Sequence, residues 1–276
     1  MMNSNIEAEK NAAELLSEAF RKINIDCPAE LAAKWAQSTM ASEDEMGRME
    51  ALLSMIRSEM DKHRMLMLTT MSRIPQVARK TFDNFHTDRL SKENEEMIKH
   101  LKSLDFITLG ENIVIAGDPG TGKTHLAQAI GNLCCEKMIP VRYFKFSELV
   151  GKLSRDSSRA GIEKILVSLS STPCLIIDEI GFSSALDTRT SDLFFQLMDR
   201  RYDKGKRTTI FTSNRKPAEW SDMFADEMTA RCTLDRIMDR CIAIDLKGES
   251  FRGQSRKVYK VNCSSSPEIT GLVMHK

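Results

Sequence analysis

The sequence predicts an α/β fold, a parallel sheet held between helices and preceded by a small all-helical region. Three observations predict it. Five short apolar runs recur from residue 112 to residue 246, helical stretches separate them, and residues 1–80 read as helix throughout. The strand candidates are "NIVIAG" (112–117), "VRYFKF" (141–146), "CLIIDE" (174–179), "TTIFTSN" (208–214) and "CIAIDL" (241–246). Helical stretches between them include "KTHLAQAIGNLCCEK" and "TSDLFFQLMDRRYDK". Apolar strands alternating with helices imply a parallel sheet covered on both faces.

The helical region opens with the short amphipathic segment "NAAELLSEAFRKIN". A longer one, "EDEMGRMEALLSMIRSEMDKHRMLML", carries Met49, Leu52, Leu53, Ile56 and Met60 at helical spacing, and Pro75 ends it. Eight of the 17 methionines lie between Met40 and Met71. They read either as adaptable packing of a helical subdomain or as a docking surface for a partner. The linker-like stretch "SRIPQVARKTFDNFHTDRLSKEN" follows, and the polar "NCSSSPEITGLVMHK" reads as a loose tail. The resulting division is a helical partner- or DNA-binding region over 1–80, the α/β domain over 81–260 and a flexible tail over 261–276.

Composition bounds the function. A chain of 276 residues with 41% hydrophobic content is enough for one large domain, or for one plus a small appendage. Lys+Arg (40) and Asp+Glu (39) nearly cancel, so any basic surface must be local. The start "MMNSNIEAEK" lacks the layout of a signal peptide, and no apolar run approaches the roughly 18 residues of a membrane span. Seven cysteines without C-x-x-C spacing read as reduced thiols, which places the chain in the cytoplasm. The five histidines are scattered, which argues against a metal cluster.

The most informative stretch is "GDPGTGKTHL". Gly117, Gly122, Lys123 and Thr124 satisfy G-x-x-x-x-G-K-[ST], the phosphate-binding loop. Glycines let backbone N–H groups turn inward around phosphate oxygens, and the following helix adds its positive end. Lys123 can reach the β- and γ-phosphates of ATP, and the Thr124 hydroxyl can ligate Mg²⁺. The bare pattern arises by chance in roughly one chain of this length in a hundred, and its place between strand and helix lowers that further. The expected nucleotide-binding residues are Gly117, Asp118, Pro119, Gly120, Thr121, Gly122, Lys123, Thr124 and His125.

"CLIIDE" adds Asp178 and Glu179 at a strand's carboxyl end, where the aspartate can hold Mg²⁺ and the glutamate can polarise a water. Alone, such a pair is often only a solvated loop start; downstream of a phosphate loop it implies hydrolysis. Asn214, after "TTIFTS", faces the same crevice in a parallel sheet and could orient the water, or it could simply form a turn before "RKP". Absence of N-K-x-D and LSGGQ-like strings argues against G-protein and transporter versions of the loop.

With these strings in place the sequence resembles the IstB/DnaC-type branch of the AAA+ ATPases, and IstB most. The resemblance is carried by "KTFDNF", "LDFITLGENIVIAGDPGTGKTHLAQAIG", "LIIDEIGF", "LFFQLMDRRYDKG", "TIFTSN", "EWSDMFAD", "LDRI" and "IDLKGESFR", in the family's order. It implies a P-loop AAA+ ATPase that forms a ring or filament of its own copies on DNA with ATP and Mg²⁺. It implies service to a transposase or, in the alternative, loading of a replicative helicase. By resemblance Asp178 and Glu179 are Walker B and Asn214 is sensor I. Arg236 in "LDRI" is the arginine finger for the adjacent subunit's ATP, and Arg252 in "GESFR" is a sensor-II-like arginine. The chain departs from IstB relatives at "GFSSALD", and it ends too soon after "GESFR" for a full helical lid.

Between the second and third strands lies "SELVGKLSRDSSRAGIEKILVSL", with Lys152, Arg155, Arg159 and Lys164. Charge alone is compatible with an ordinary solvated hairpin; the resemblance implies an element lining a DNA-facing pore. No aromatic residue interleaves these cations, so DNA contact should be largely independent of sequence. Arg57, Arg64, Arg73, Arg79 and Lys80 form a second basic set. A reading from a different class, a nucleotide switch that never hydrolyses, is opposed by Glu179 and Arg236.

Overall fold

The computed structural model describes residues 14, 16–18, 20–21, 29–41, 45–85, 92–155, 158–181, 185–247 and 250. Arg252 and the tail over 261–276 lie outside them. Five strands form one sheet: β1 (Asn112–Gly117), β2 (Val141–Lys145), β3 (Cys174–Asp178), β4 (Thr208–Ser213) and β5 (Cys241–Leu246). They lie in the order β2-β3-β4-β1-β5, and each neighbouring pair is parallel. Three of the sequence-read runs are one residue too long. Phe146 opens a helix, while Glu179 and Asn214 leave the pleat beyond the last residues of β3 and β4.

Every residue of β3 and β4 is buried, because helices cover both faces there. β5, at one edge, alternates buried and exposed residues toward its end. Alternation along β1 sends Ile113 and Ile115 to one face and Val114 to the other. The first face packs on α3 (Lys92–Ser103), α4 (Asp105–Leu109) and α5 (Lys123–Glu136), through residues such as Leu101, Phe106, Leu126 and Ile130. The second packs on α6 (Phe146–Arg155), α7 (Arg159–Ser171), α8 (Thr188–Asp203) and α9 (Glu227–Met238). Leu149, Leu166, Phe194 and Ile237 meet Trp220 of the 3-10 turn Pro217–Met223 there. The result is a three-layer α/β/α sandwich.

Ahead of it, α1 (Ala29–Ala41) packs on α2 (Glu45–Ser72), where Ala32 forms a small core with Leu16 and Phe20. Leu52 and Ile56 of α2 close that core. The 28 residues of α2 reach about 42 Å, so its far end meets α5 and β2 instead. Arg73 then turns the chain at φ 63°, and Ile74 inserts into the core beside α5. Met60, Met67 and Met71 are each about half exposed, so they do not pack that small core. No described helix is long and apolar enough to cross a membrane.

Candidate nucleotide site

The phosphate loop begins where β1 runs out against β5. Gly117 has φ 139°, and a Cβ there would lie 2.0 Å from the Leu246 carbonyl oxygen, so the close approach of the two strands requires glycine. Gly122 starts α5 in a left-handed conformation (φ 96°) without a side-chain cap. In contrast, α7, α8 and α9 begin with Ser158, Asp187 and Asp226, which accept from the N–H groups of Gly161, Thr190 and Thr229. The unblocked first turn of α5 therefore suits an anion from outside the helix. Lys123 is buried and its ammonium donates to the carbonyls of Gly117 (2.9 Å) and Asp118 (2.6 Å), held over the loop.

Asp178 closes β3 and is 1% exposed. Its Oδ1 accepts from the hydroxyls of Thr124 (2.9 Å) and Thr212, and its Oδ2 from Tyr143 (2.5 Å). The Thr124 hydrogen is committed to Asp178, so its oxygen lone pairs remain for a hard cation. A carboxylate and a hydroxyl beside a phosphate loop are the donor chemistry Mg²⁺ takes with a nucleotide. The residues present fit both groups.

Glu179 follows at φ 63°, its N–H donating to Thr212 Oγ1 (2.9 Å). That turn sends its carboxylate into the crevice, where Oε2 lies 3.1 Å from the Lys145 ammonium. Hydrogen bonding to Glu179 and its charge raise the pKa of Lys145. Asn214 is exposed on the same rim. Lys80, Gly122, Lys123, Thr124, Glu179 and Asn214 border one cavity of about 520 Å³, along with Pro119, Gly120, His125 and Gln128. Gly117, Asp118 and Thr121 instead shape the loop, the Thr121 hydroxyl donating to Asp118 O (2.8 Å). Ser250 lies against Gly120 of the loop.

Sequence reasoning missed four parts of this site. Tyr143 and Thr212 hold Asp178, and Lys145 holds Glu179; each was visible only as a polar residue within an apolar strand. The fourth is residues 79–85 of the linker-like stretch, which form a strap along α5. Asn84 Oδ1 accepts from Thr81 N–H while its amide donates to Arg79 O, so both Asn84 Oδ1 and Thr81 O present acceptors to His125 Nε2 (2.8 and 3.1 Å). His125 Nε2 therefore carries the hydrogen. Farther along α5, Asn132 donates to Lys80 O (2.7 Å) and Glu136 pairs with Arg79 (2.7 Å). Phe85 meets the His125 ring edge-on at 5.3 Å.

Arg236 is nowhere near this crevice. It lies in the last turn of α9, beside Asn112 and Thr209 at the amino-terminal ends of β1 and β4. The six residues of β1 separate the two ends by about 17 Å, beyond the reach of an arginine side chain. Its guanidinium pairs with Asp199 and Asp235 (3.1 Å each) and sits 4.9 Å over the Tyr202 ring. Its hydrogen bond to Asp199, ahead of the carboxylate charges, raises its pKa.

The four cations between β2 and β3 do not share one surface. Lys152 and Arg155 border an open groove of about 880 Å³ with Arg73, whose guanidinium covers the Phe144 ring at 5.4 Å. Arg159 borders another groove, with Glu163, Arg189 and Arg200, where Arg200 grips Glu163 through two bonds of 2.7 and 2.9 Å. Lys164 is exposed and borders neither. In the second basic set, Arg79 and Lys80 belong to the strap, whereas Arg57 and Arg64 are exposed on α2.

Comparison with known proteins gives the family. The family model described as IstB-like ATP binding protein matches residues 22–258. A relative from insertion sequence IS5376 of Geobacillus stearothermophilus, named for ATP binding, is 31% identical over 83% of this chain and 90% of its own. One from IS232 of Bacillus thuringiensis subsp. berliner is 33% identical over 76% and 83%. Among solved structures, the DnaC helicase loader aligns with TM-score 0.51 at 21% identity, over 61% of this chain and 97% of its own. AMPPCP-bound DnaA from Aquifex aeolicus aligns with TM-score 0.52 at 24% identity, over 63% and 51%. These two show a shared fold.

Proposed function

The chain belongs to the family of IstB-like ATP binding proteins, and from that premise we propose that it hydrolyses ATP while assembled on DNA, in aid of its insertion sequence's transposase. The carrying observation is the convergence of Lys123, Thr124, Asp178, Glu179 and Asn214 at the carboxyl end of three adjacent strands. Lys123 would neutralise the β- and γ-phosphates, and Thr124 with Asp178 would hold Mg²⁺, which when bound supplies further charge neutralisation at the γ-phosphate. Glu179 takes a proton from the attacking water, and Asn214 orients that water. Arg236, at the opposite end of the sheet, serves a neighbouring subunit's nucleotide, which makes a ring or filament part of the catalytic unit.

Lys152, Arg155 and Arg73 contact the DNA backbone without reading bases. Relatives from insertion sequences support a transposase rather than a replicative helicase as the partner, and ATP, DNA and reduced thiols support a cytoplasmic location. The test measures nucleotide binding and phosphate release with and without DNA. Wild-type protein should hydrolyse ATP faster on DNA, and Lys123→Ala should lose nucleotide binding. Unchanged affinity in Lys123→Ala, or no hydrolysis by wild type under any DNA condition, overturns the reading. Target-directed strand transfer by the insertion sequence's transposase should rise when wild-type protein is added.

A further inference from the structure

We propose that Tyr143 is a positioning residue that sets the orientation of the Asp178 carboxylate toward the nucleotide's metal ion. The proposal rests on the reading of Thr124 and Asp178 as the residues that hold Mg²⁺. A carboxylate's terminal torsion is soft, with broad wells, so an aspartate by itself does not hold its oxygens in one plane. Here both threonine hydroxyls, from α5 and β4, pull on Oδ1. Tyr143 alone, among the described contacts, grips Oδ2, at 2.5 Å. Bonds to both oxygens from three different elements stop the rotation.

Tyr143 is itself fixed. Its ring is 5% exposed within the core between the sheet and α5, and parallel pairing sets it beside Ile176, two residues before Asp178 on the same face. A strand side chain leans along its strand, which carries the hydroxyl up to the carboxylate. Gln128 Nε2, at 3.5 Å, makes a long contact with the same hydroxyl. Buried hydroxyls usually find partners for their own sake, so a purely structural tyrosine must be distinguished by its effect on metal affinity.

The experiment titrates Mg²⁺ into purified protein with a fluorescent ATP analogue, reading analogue affinity, for wild type, Tyr143→Phe and Tyr143→Met. Residues behind a metal ligand typically contribute about 10-fold to 100-fold in metal affinity, so half-saturating Mg²⁺ should rise about 10-fold in both variants. Analogue affinity in excess EDTA should stay within about twofold of wild type, because Tyr143 touches neither the phosphate loop nor Lys123 and its contact with Gln128 of α5 is long. A lowered melting temperature with an unmoved Mg²⁺ midpoint overturns the positioning role. So does a shift in one variant but not the other, or an equal loss with and without metal. Should wild-type affinity not depend on Mg²⁺ at all, the ligand reading itself fails, a result distinct from a variant that merely matches wild type.

Discussion

Removing the Lys145 ammonium should raise ATP hydrolysis in the absence of DNA. On the proposed mechanism Glu179 polarises water; its carboxylate lies 3.1 Å from Lys145 Nζ, so leaving that pair would be a cost before each turnover. The side chains are 48% and 44% exposed, so water screens the pair and its strength is that of a surface salt bridge, about 0.2–1 kcal/mol. At one factor of ten per 1.36 kcal/mol, Lys145→Ala should speed hydrolysis about 1.4-fold to 5-fold. Global stability should change by less than about 0.5 kcal/mol, as for other exposed substitutions. The assay is steady-state phosphate release by wild type, Lys145→Ala and Lys145→Arg. Ionic strength should be varied up to about 1 M, where screening within about 3 Å erases the pair. Wild type should approach Lys145→Ala as salt rises, and Lys145→Arg should behave as wild type. An unchanged or slower Lys145→Ala enzyme with an unaltered melting temperature refutes the reasoning, and Lys145 then supports catalysis rather than restraining Glu179.

Two further outcomes follow from the geometry. Arg236→Ala should bind ATP yet fail to hydrolyse it in the assembly; mixing it with Lys123→Ala protein should restore part of the activity, because a mixed interface joins one intact site to one intact arginine. Co-assembly is checked by sizing, and mixed assemblies that stay inactive at all ratios leave Arg236 an ion-pair residue with Asp199 and Asp235. Lys152→Ala with Arg155→Ala should weaken binding to any DNA duplex and flatten the salt slope by about 1.8, at about 0.9 per phosphate contact. Arg159→Ala with Lys164→Ala, set apart from that groove, should change the slope less, and the reverse ranking would move the DNA contact to the other side of the hairpin.

The parts of this protein legible in its sequence are those whose chemistry is contiguous. Gly117 through Thr124 act through one stretch of backbone and one helix start, so spacing alone announced the loop. Asp178 and Glu179 were legible because a buried strand must end in polar residues where it reaches the crevice. The strand runs themselves stood out because helices on both faces leave few polar positions within them. The strap was misread as a linker, because "KTFDNF" is polar enough for solvent and nothing local shows that Asn84 and Thr81 turn to His125. The hairpin cations looked alike for a similar reason: packing, not charge, decided that Lys152 and Arg159 border different grooves.

By itself, then, the sequence determined the α/β class, the strand positions and the phosphate loop, all properties of neighbours along the chain. Only the tertiary structure decided who surrounds Asp178. Its partners Thr124, Tyr143 and Thr212 are 54, 35 and 34 residues away, and they meet because β4 lies between β1 and β3 while β2 flanks β3. The same order and register put Lys145 beside Asp178, within reach of Glu179, and left Arg236 at the far end of the sheet. Hydrophobic patterning cannot express this, because many orders of five apolar strands bury similar area. Side-chain packing and connection geometry select one of them, and the polar residues at the strand ends are thereby brought together.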